Sequence, residues 1–238
     1  HDSDGLLLRM VTGEWVWRPL QNPRGLQVNS FQAPNPRGFG LLQRDRDFTN
    51  YQDLEARYEN RPSIWIEPKG DWGEGRVELV QIPTNTEIND NIVAYWIPDR
   101  QAAPGQPMRF DYAMRWYSPS PEDGPTGFCS ATRITHGKGD LEKVFVLDFD
   151  GKAIRALKHG AKVEGVISVG AGAHLVEQQA YRNEVNGAWR LQFKIALDGE
   201  STLGKVLPDK RPPIEMRVFL RSGYDVLTET WSYAYKPL

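Results

Sequence analysis

Cysteine is nearly absent from this sequence of 238 residues: Cys129 stands alone. No intrachain disulfide can form, a thiolate metal cluster is excluded, and cysteine usage leaves the cytosol and a bacterial periplasm equally open. Excess charge is also lacking. The 29 basic and 31 acidic residues leave a formal net charge of -2, and no basic block marks a nucleic-acid partner. No apolar run approaches the ~20 residues that a membrane-spanning helix needs. His1, His136, His159 and His174 form no ligand spacing, and no GxSxG, P-loop, dinucleotide fingerprint or HExxH is present. Internal repeats and low-complexity tracts are missing too. The chain opens "HDSDGLLLRM", without an initiator Met or a signal-like segment, which leads us to expect a fragment or a processed product.

What remains is a β-rich text. Hydrophobic residues make up 39% and charged residues 25%, enough for a packed core and against disorder. Eight Trp and nine Tyr, with 22 Gly and 17 Pro, point to many short strands joined by turns. Strands are expected at 6–10, 14–19, 26–31, 38–44, 63–67, 76–82, 91–97 and 108–117. A helix is expected over "TNYQDLEARYEN" (49–60), with Asn50 as a cap, Leu54 and Tyr58 on one face, and Pro62 as a stop. Residues 118–138 are rich in Pro, Gly and Ser and read as a linker. A second strand series follows at 143–149, 162–169, 175–182, 189–196, 213–221 and 226–235. In "RLQFKIAL" and "EMRVFLR", apolar and polar residues alternate as in half-buried antiparallel strands. Six or seven strands in a hundred residues suit a small immunoglobulin-like sandwich.

Several carboxylates attract attention, each with a bland reading beside the chemical one. Asp2 and Asp4 lie at i, i+2, so in an extended strand they face one way; they are either a polar turn or a pair able to act as base or cation ligand. "NTEIND" sets Glu87 and Asp90 at the mouth of the apolar run "NIVAYW". That is either an Asx-type turn or an acid half-buried against Trp96 or Tyr95 with its pKa raised for proton donation. In "GFGLLQRDRDF", an Arg–Asp lattice is the favoured reading for Asp45 and Asp47, while Arg44 and Arg46 are also able to hydrogen-bond sugar hydroxyls. Most of Trp15, Trp17, Trp65, Trp72, Trp96 and Tyr58 belong in the core. An exposed minority beside carboxylates would suit a carbohydrate, whose C–H faces stack on rings. "GAGAH" (170–174) reads as a Gly-rich turn without the helix a phosphate cradle needs.

These motifs, with "GEWVWRPLQNP", "RPSIWIEPKGDWGEGRVELVQIPT" and the terminal "LTETWSYAY", resemble the periplasmic glucan biosynthesis proteins G and D of Gram-negative bacteria, and the G branch more than the D branch. The resemblance implies a large β-sandwich related to galactose mutarotase followed by an immunoglobulin-like domain. The present chain would then hold the C-terminal part of the large domain (1–117), a linker (118–138) and the small domain (139–238). The N-terminal part of the large domain would be its natural partner, and its absence would leave open sheet edges.

The resemblance further implies a periplasmic protein acting on β-1,2-linked glucan. Carried over residue by residue, it makes Asp90 the general acid and Asp2 the general base, with Asp4 as a second candidate. Tyr58 becomes a site tyrosine and Glu87 a supporting carboxylate; Arg44, Arg46 and Trp96 join them as substrate-binding candidates. No metal and no cofactor is implied. Inversion needs one carboxyl to protonate the leaving oxygen and another to activate water on the opposite sugar face, usually from roughly 6.5–9.5 Å apart. In this family a proton relay through substrate hydroxyls or water stretches that distance. The competing expectation is a non-catalytic glucan-binding scaffold that works with a membrane glucosyltransferase.

Overall fold

The computed structural model describes residues 3–86, 88–117, 124–139, 141–199 and 212–237. The chain divides into two compact units, His1–Gly124 and Pro125–Leu238. Among the described residues no helix is long and apolar enough to cross a membrane.

The first unit holds eight strands: β1 (Gly5–Arg9), β2 (Trp15–Pro19), β3 (Gln27–Gln32), β4 (Gly38–Leu42), β5 (Ser63–Lys69), β6 (Gly75–Gln81), β7 (Ile92–Pro98) and β8 (Asp111–Tyr117). They form an antiparallel sheet in the order β2-β1-β4-β5-β8 and a three-stranded sheet in the order β3-β6-β7. The core between the sheets is built by strand alternation. Leu6, Leu8, Val16 and Phe39 from one sheet meet Phe31, Val77 and Leu79 from the other, as period-2 side-chain placement requires.

The opposite face of the larger sheet is aromatic. Leu7 pairs with Trp17 across the β1–β2 ladder, and Trp15 and Trp65 lie 5.8 Å apart. Glycines make room for these rings. A Cβ on Gly5 would fall 2.3 Å from the Trp17 ring, and one on Gly38 would fall 2.2 Å from Trp65. The indoles lie over bare backbone, an aromatic cover for residues that otherwise weaken a strand.

The second unit is a sandwich of β9 (Phe128–His136), β10 (Glu142–Asp150), β11 (Glu164–Val169), β12 (Ala173–Arg182), β13 (Trp189–Leu197), β14 (Ile214–Ser222), β15 (Asp225–Val226) and β16 (Thr230–Tyr235). One sheet runs β12-β13-β10-β9; the other runs β11-β14-β16, with β15 hairpinned onto β14. Lettered A to G in chain order without the short β15, these are DEBA and CFG, the immunoglobulin constant-type arrangement. Its centre is Phe145 stacked on Phe193 at 5.0 Å, with Trp231 fully buried against both. The Trp231 indole N–H donates to Thr132 Oγ1 at 2.9 Å, which satisfies the one polar atom that its burial would otherwise strand.

Two sequence expectations need correction. Residues 49–60 are not one helix. A single turn, α1 (Phe48–Tyr51), is capped by Asp47 rather than Asn50, and it ends at Gln52 in the left-handed region. A 3₁₀ turn follows at Tyr58–Asn60. Leu54 is 82% exposed, so the i, i+4 pair with Tyr58 buries no face and nothing favours continuing the helix. Residues 118–138 are not all linker, since β9 fills 128–136 and pairs along β10. Its polar, Thr-rich text hides a strand that carries Cys129 inward and leaves Thr135 and His136 exposed.

The tightest backbone approach makes a prediction. A Cβ on Gly40 would stand 2.0 Å from the Ile64 carbonyl oxygen and 2.9 Å from Trp65 Cα, and neither is a flexible side-chain end. Gly40→Ala is expected to lower stability by about 1–3 kcal/mol. Gly25→Ala, with open space around it, is expected to stay within about 0.5 kcal/mol. Urea unfolding of both variants checks this; equal midpoints would contradict the packing of β4 against β5.

Candidate functional site

The motifs "HDSDG" and "GFGLLQRDRDF" meet at the end of the first unit where β1 begins and β4 ends. Asp4 stands just before β1. Its backbone N–H donates to Leu42 O at 2.9 Å, and its carbonyl accepts from Leu20 N at 3.0 Å. Its carboxylate is more fully engaged. Oδ2 accepts the backbone N–H groups of Arg44 at 2.5 Å and Asp45 at 2.6 Å, and Oδ1 accepts the Tyr51 hydroxyl at 3.2 Å. That hydroxyl in turn accepts from Gln43 Nε2 at 2.6 Å. Burial pushes the Asp4 carboxyl above its ordinary value of 3.8, against the opposing pull of the two amides and the tyrosine. Burial and the nearby carboxylates push the Tyr51 hydroxyl up as well, so it remains a proton donor across the ordinary pH range.

The 43–63 segment wraps around this anchor. Tyr51 and Tyr58 bring their rings to 5.8 Å. Arg44 lays its guanidinium over the Trp17 ring, 3.5 Å from the centroid, in a cation–π contact. Arg46 turns inward. Its Nη1 donates to the carbonyls of Glu59 at 2.9 Å and Arg61 at 2.5 Å, and its Nη2 reaches Ser63 Oγ at 3.4 Å. Asp45 accepts from Asn50 Nδ2 at 2.7 Å and from the Asp47 amide at 3.0 Å. Asp47 accepts the Thr49 amide and hydroxyl, and those bonds hold its carboxyl below the usual range. The two aspartates therefore shape the loop as turn and cap acceptors.

Asp90 lies in the β6–β7 loop, which has its own polar frame. Asn89 Nδ2 donates to Thr86 Oγ1 at 2.8 Å, Thr84 Oγ1 donates to Thr86 O at 2.8 Å, and buried Asn91 donates to Ile82 O at 3.0 Å. The Asp90 side chain is exposed and accepts no hydrogen bond from the described residues. The expected half-burial against Trp96 or Tyr95 does not occur. The Tyr95 hydroxyl donates to Glu78 Oε2 at 3.0 Å. The Trp96 indole donates to Ala33 O at 3.1 Å, and its ring packs against Trp72 and Phe110. Trp96 sits six residues along the strand from Asp90, roughly 20 Å away, and is part of the packing.

A short bridge ties the Asp90 loop to the Asp4 anchor. Leu20 donates to Asp4 O, Gln21 N donates to Gln81 Oε1 at 2.7 Å, and Asn22 makes two bonds with Thr84, at 2.7 and 3.1 Å. Three consecutive residues thus pin the β6–β7 loop to the end of the sheet that carries Asp4, Tyr51 and Tyr58. The structure brings together Asp4, Arg44, Arg46 and Tyr58, and it holds the Asp90 loop at the same end. Asp2 and Glu87 lie outside the described residues. Sequence reasoning missed Tyr51 and Gln43; the only signal was Tyr51 standing seven residues before Tyr58 in one loop. Among the described residues no group of three or more His, Cys, Asp or Glu side chains is arranged to hold a metal ion.

Two predictions arise here. Tyr51→Phe strips a donor from Asp4 and an acceptor from Gln43, so it is expected to cost about 1–3 kcal/mol in urea unfolding; no loss would mean that the network is not formed. The second concerns pH. Folding raises the Asp4 pKa, so the folded state holds its proton more tightly than the unfolded chain. The resulting stability is fully present below 3.8 and is lost as pH rises through the raised folded value. Wild type is therefore expected to gain on Asp4→Asn as pH falls through that window, and a difference independent of pH would contradict the burial of this carboxyl.

The family model described as "Periplasmic glucan biosynthesis protein, MdoG" matches residues 1–235. Glucans biosynthesis protein G of Ralstonia nicotianae is 44% identical, covering 100% of this chain and 47% of the relative. Glucans biosynthesis protein G of Sodalis glossinidius is also 44% identical, over 98% of the chain and 45% of the relative. Glucans biosynthesis protein D 2 of Ralstonia nicotianae is 42% identical, over 100% and 43%. The chain thus spans less than half the length of these relatives. With a match that runs across nearly every residue, and with relatives well above the identity at which homology is in question, the chain belongs to the periplasmic glucan biosynthesis protein family.

Proposed function

We propose that this chain works in the periplasm in glucan biosynthesis and carries the acid–base end of a site that cleaves β-1,2-linked glucan with inversion. The observation that supports this most is the Leu20–Asn22 bridge, which holds the Asp90 loop and the Asp4–Tyr51 network at one end of the unit. Two carboxylate-bearing segments about 85 residues apart in sequence share a frame, as an inverting pair requires.

Roles follow from what each group has to spare. Asp90 is exposed and unpaired among the described residues, so it is free to approach a leaving oxygen as general acid. Asp4 already accepts two amides and a hydroxyl, which suits a positioning residue. The resemblance makes Asp2, two residues upstream, the general base, with Glu87 supporting the acid. Tyr58 stands beside Tyr51, where its ring or hydroxyl meets the sugar or a relayed proton. Arg44, held over Trp17, and Arg46, locked onto carbonyls, set the walls.

The exposure of Asp90 favours one rival. A carboxylate in solvent also suits a sugar ligand in a non-catalytic scaffold that hands glucan to a membrane glucosyltransferase. Reducing-end release from linear β-1,2-glucan by the natural full-length protein separates the two. Hydrolysis is expected, with Asp90→Asn lowering the rate by about 10²–10⁴-fold while thermal stability stays unchanged. Saturable glucan binding without new reducing ends would support the scaffold instead.

A further inference from the structure

The first unit has a cavity at its other end, away from the carboxylates and tyrosines given roles above. It has a volume of about 550 Å³ and lies between the Asp71–Glu74 turn and Met108–Phe110, where β6 begins and β7 ends. The seven residues of β6 separate it from the Asp90 loop by roughly 20 Å. Its size falls in the ordinary range for small-ligand sites.

Its floor is aromatic and firmly held. Trp72 packs against Trp96 at 5.1 Å, Phe110 at 5.6 Å and Tyr112 at 6.3 Å. Its backbone N–H donates to Asn35 Oδ1 at 2.7 Å, and its indole N–H donates to Asp111 O at 3.1 Å. With both N–H groups committed, what Trp72 offers the cavity is ring surface. The rim is polar and mixed in sign. Asp71 accepts from the Gly73 amide at 2.8 Å. Glu74 and Arg100, both exposed lining residues, have no hydrogen bond or ion pair through their side chains among the described residues. One is an acceptor only and the other a donor only.

An aromatic floor with an unspent acceptor and an unspent donor above it matches a neutral polyol. Ring faces take the C–H surface of a sugar, and hydroxyls donate a hydrogen bond to Glu74 and accept one from Arg100. The opposed charges make no net field for a polyanion. We infer that this cavity is a second carbohydrate site, which grips a glucan chain about 20 Å from the acid–base end; the choice of glucan as ligand rests on the function proposed above.

Hydrogen exchange read by mass spectrometry on the natural full-length protein carrying Asp90→Asn, with and without linear β-1,2-glucan, tests this. Glucan is expected to protect residues 71–74 and 108–110 as well as the 43–58 loop. Glu74→Ala with Arg100→Ala, both at exposed positions, is expected to remove the first protection, keep the second and weaken binding about tenfold. Protection of the 43–58 loop alone would overturn the second site and leave the proposed function standing. Protection at 71–74 and 108–110 alone would do the reverse. Protection at the cavity that survives the double substitution would also overturn it.

Discussion

The Asp4 carboxylate is the constraint on which the candidate site depends. One short side chain, placed where β1 begins, accepts the amides of Arg44 and Asp45 as the chain leaves β4, together with the Tyr51 hydroxyl from the loop beyond. The amides of Arg44 and Asp45 would otherwise need solvent or a turn partner. Fixing them at the strand end sets where the next twenty residues run, and so where Arg44 meets Trp17 and Tyr51 meets Tyr58. A partly buried carboxyl is an expensive anchor, and the three hydrogen bonds are what make it tolerable.

Around that anchor the larger sheet serves two surfaces at once. One face of β1 and β2 supplies Leu6, Leu8 and Val16 to the intersheet core, and the other supplies Leu7, Trp15 and Trp17. Bare backbone at Gly5 and Gly38 lets indoles lie flat on the sheet. The rigidity this gives is useful to a site built on loops, because loops hold position only as well as the strands that carry them. The immunoglobulin-type unit follows the same logic with a different key, a single buried tryptophan whose N–H is answered by Thr132.

Much of this was legible in the sequence, for physical reasons. Alternation in "RLQFKIAL" and "EMRVFLR" marks β13 and β14, because a strand buried on one face must write its period into the chain. The β9 strand was unreadable, since Thr, Ser and Arg dominate it and its pairing with β10 supplies what its own apolar content does not. The loop after β4 misled in the opposite way. Its charges and its i, i+4 pair look helical, yet its fold is dictated by long-range bonds to Asp4 and by Arg46 reaching Glu59 and Arg61. Trp96 illustrates the limit of proximity in sequence. It stands in the same short run as Asp90, but a strand carries side chains apart at about 3.3 Å per residue, and its indole is committed to Ala33. Which carboxylates carry chemistry was suggested by motif resemblance alone. What geometry adds is a way to tell an engaged carboxylate such as Asp4 from an exposed one such as Asp90.

The first unit of this family member presents an exposed carboxylate and a braced polar loop at one end of its sandwich. The proposed mechanism has two carboxylates act on glucan from opposite faces of the sugar ring. Proton NMR of the first product released from β-1,2-linked glucan by the natural full-length protein tests that most directly. The new reducing end is expected first as the α-anomer, which only then mutarotates. Initial release of the β-anomer would require a carboxylate nucleophile and retention, and would contradict it.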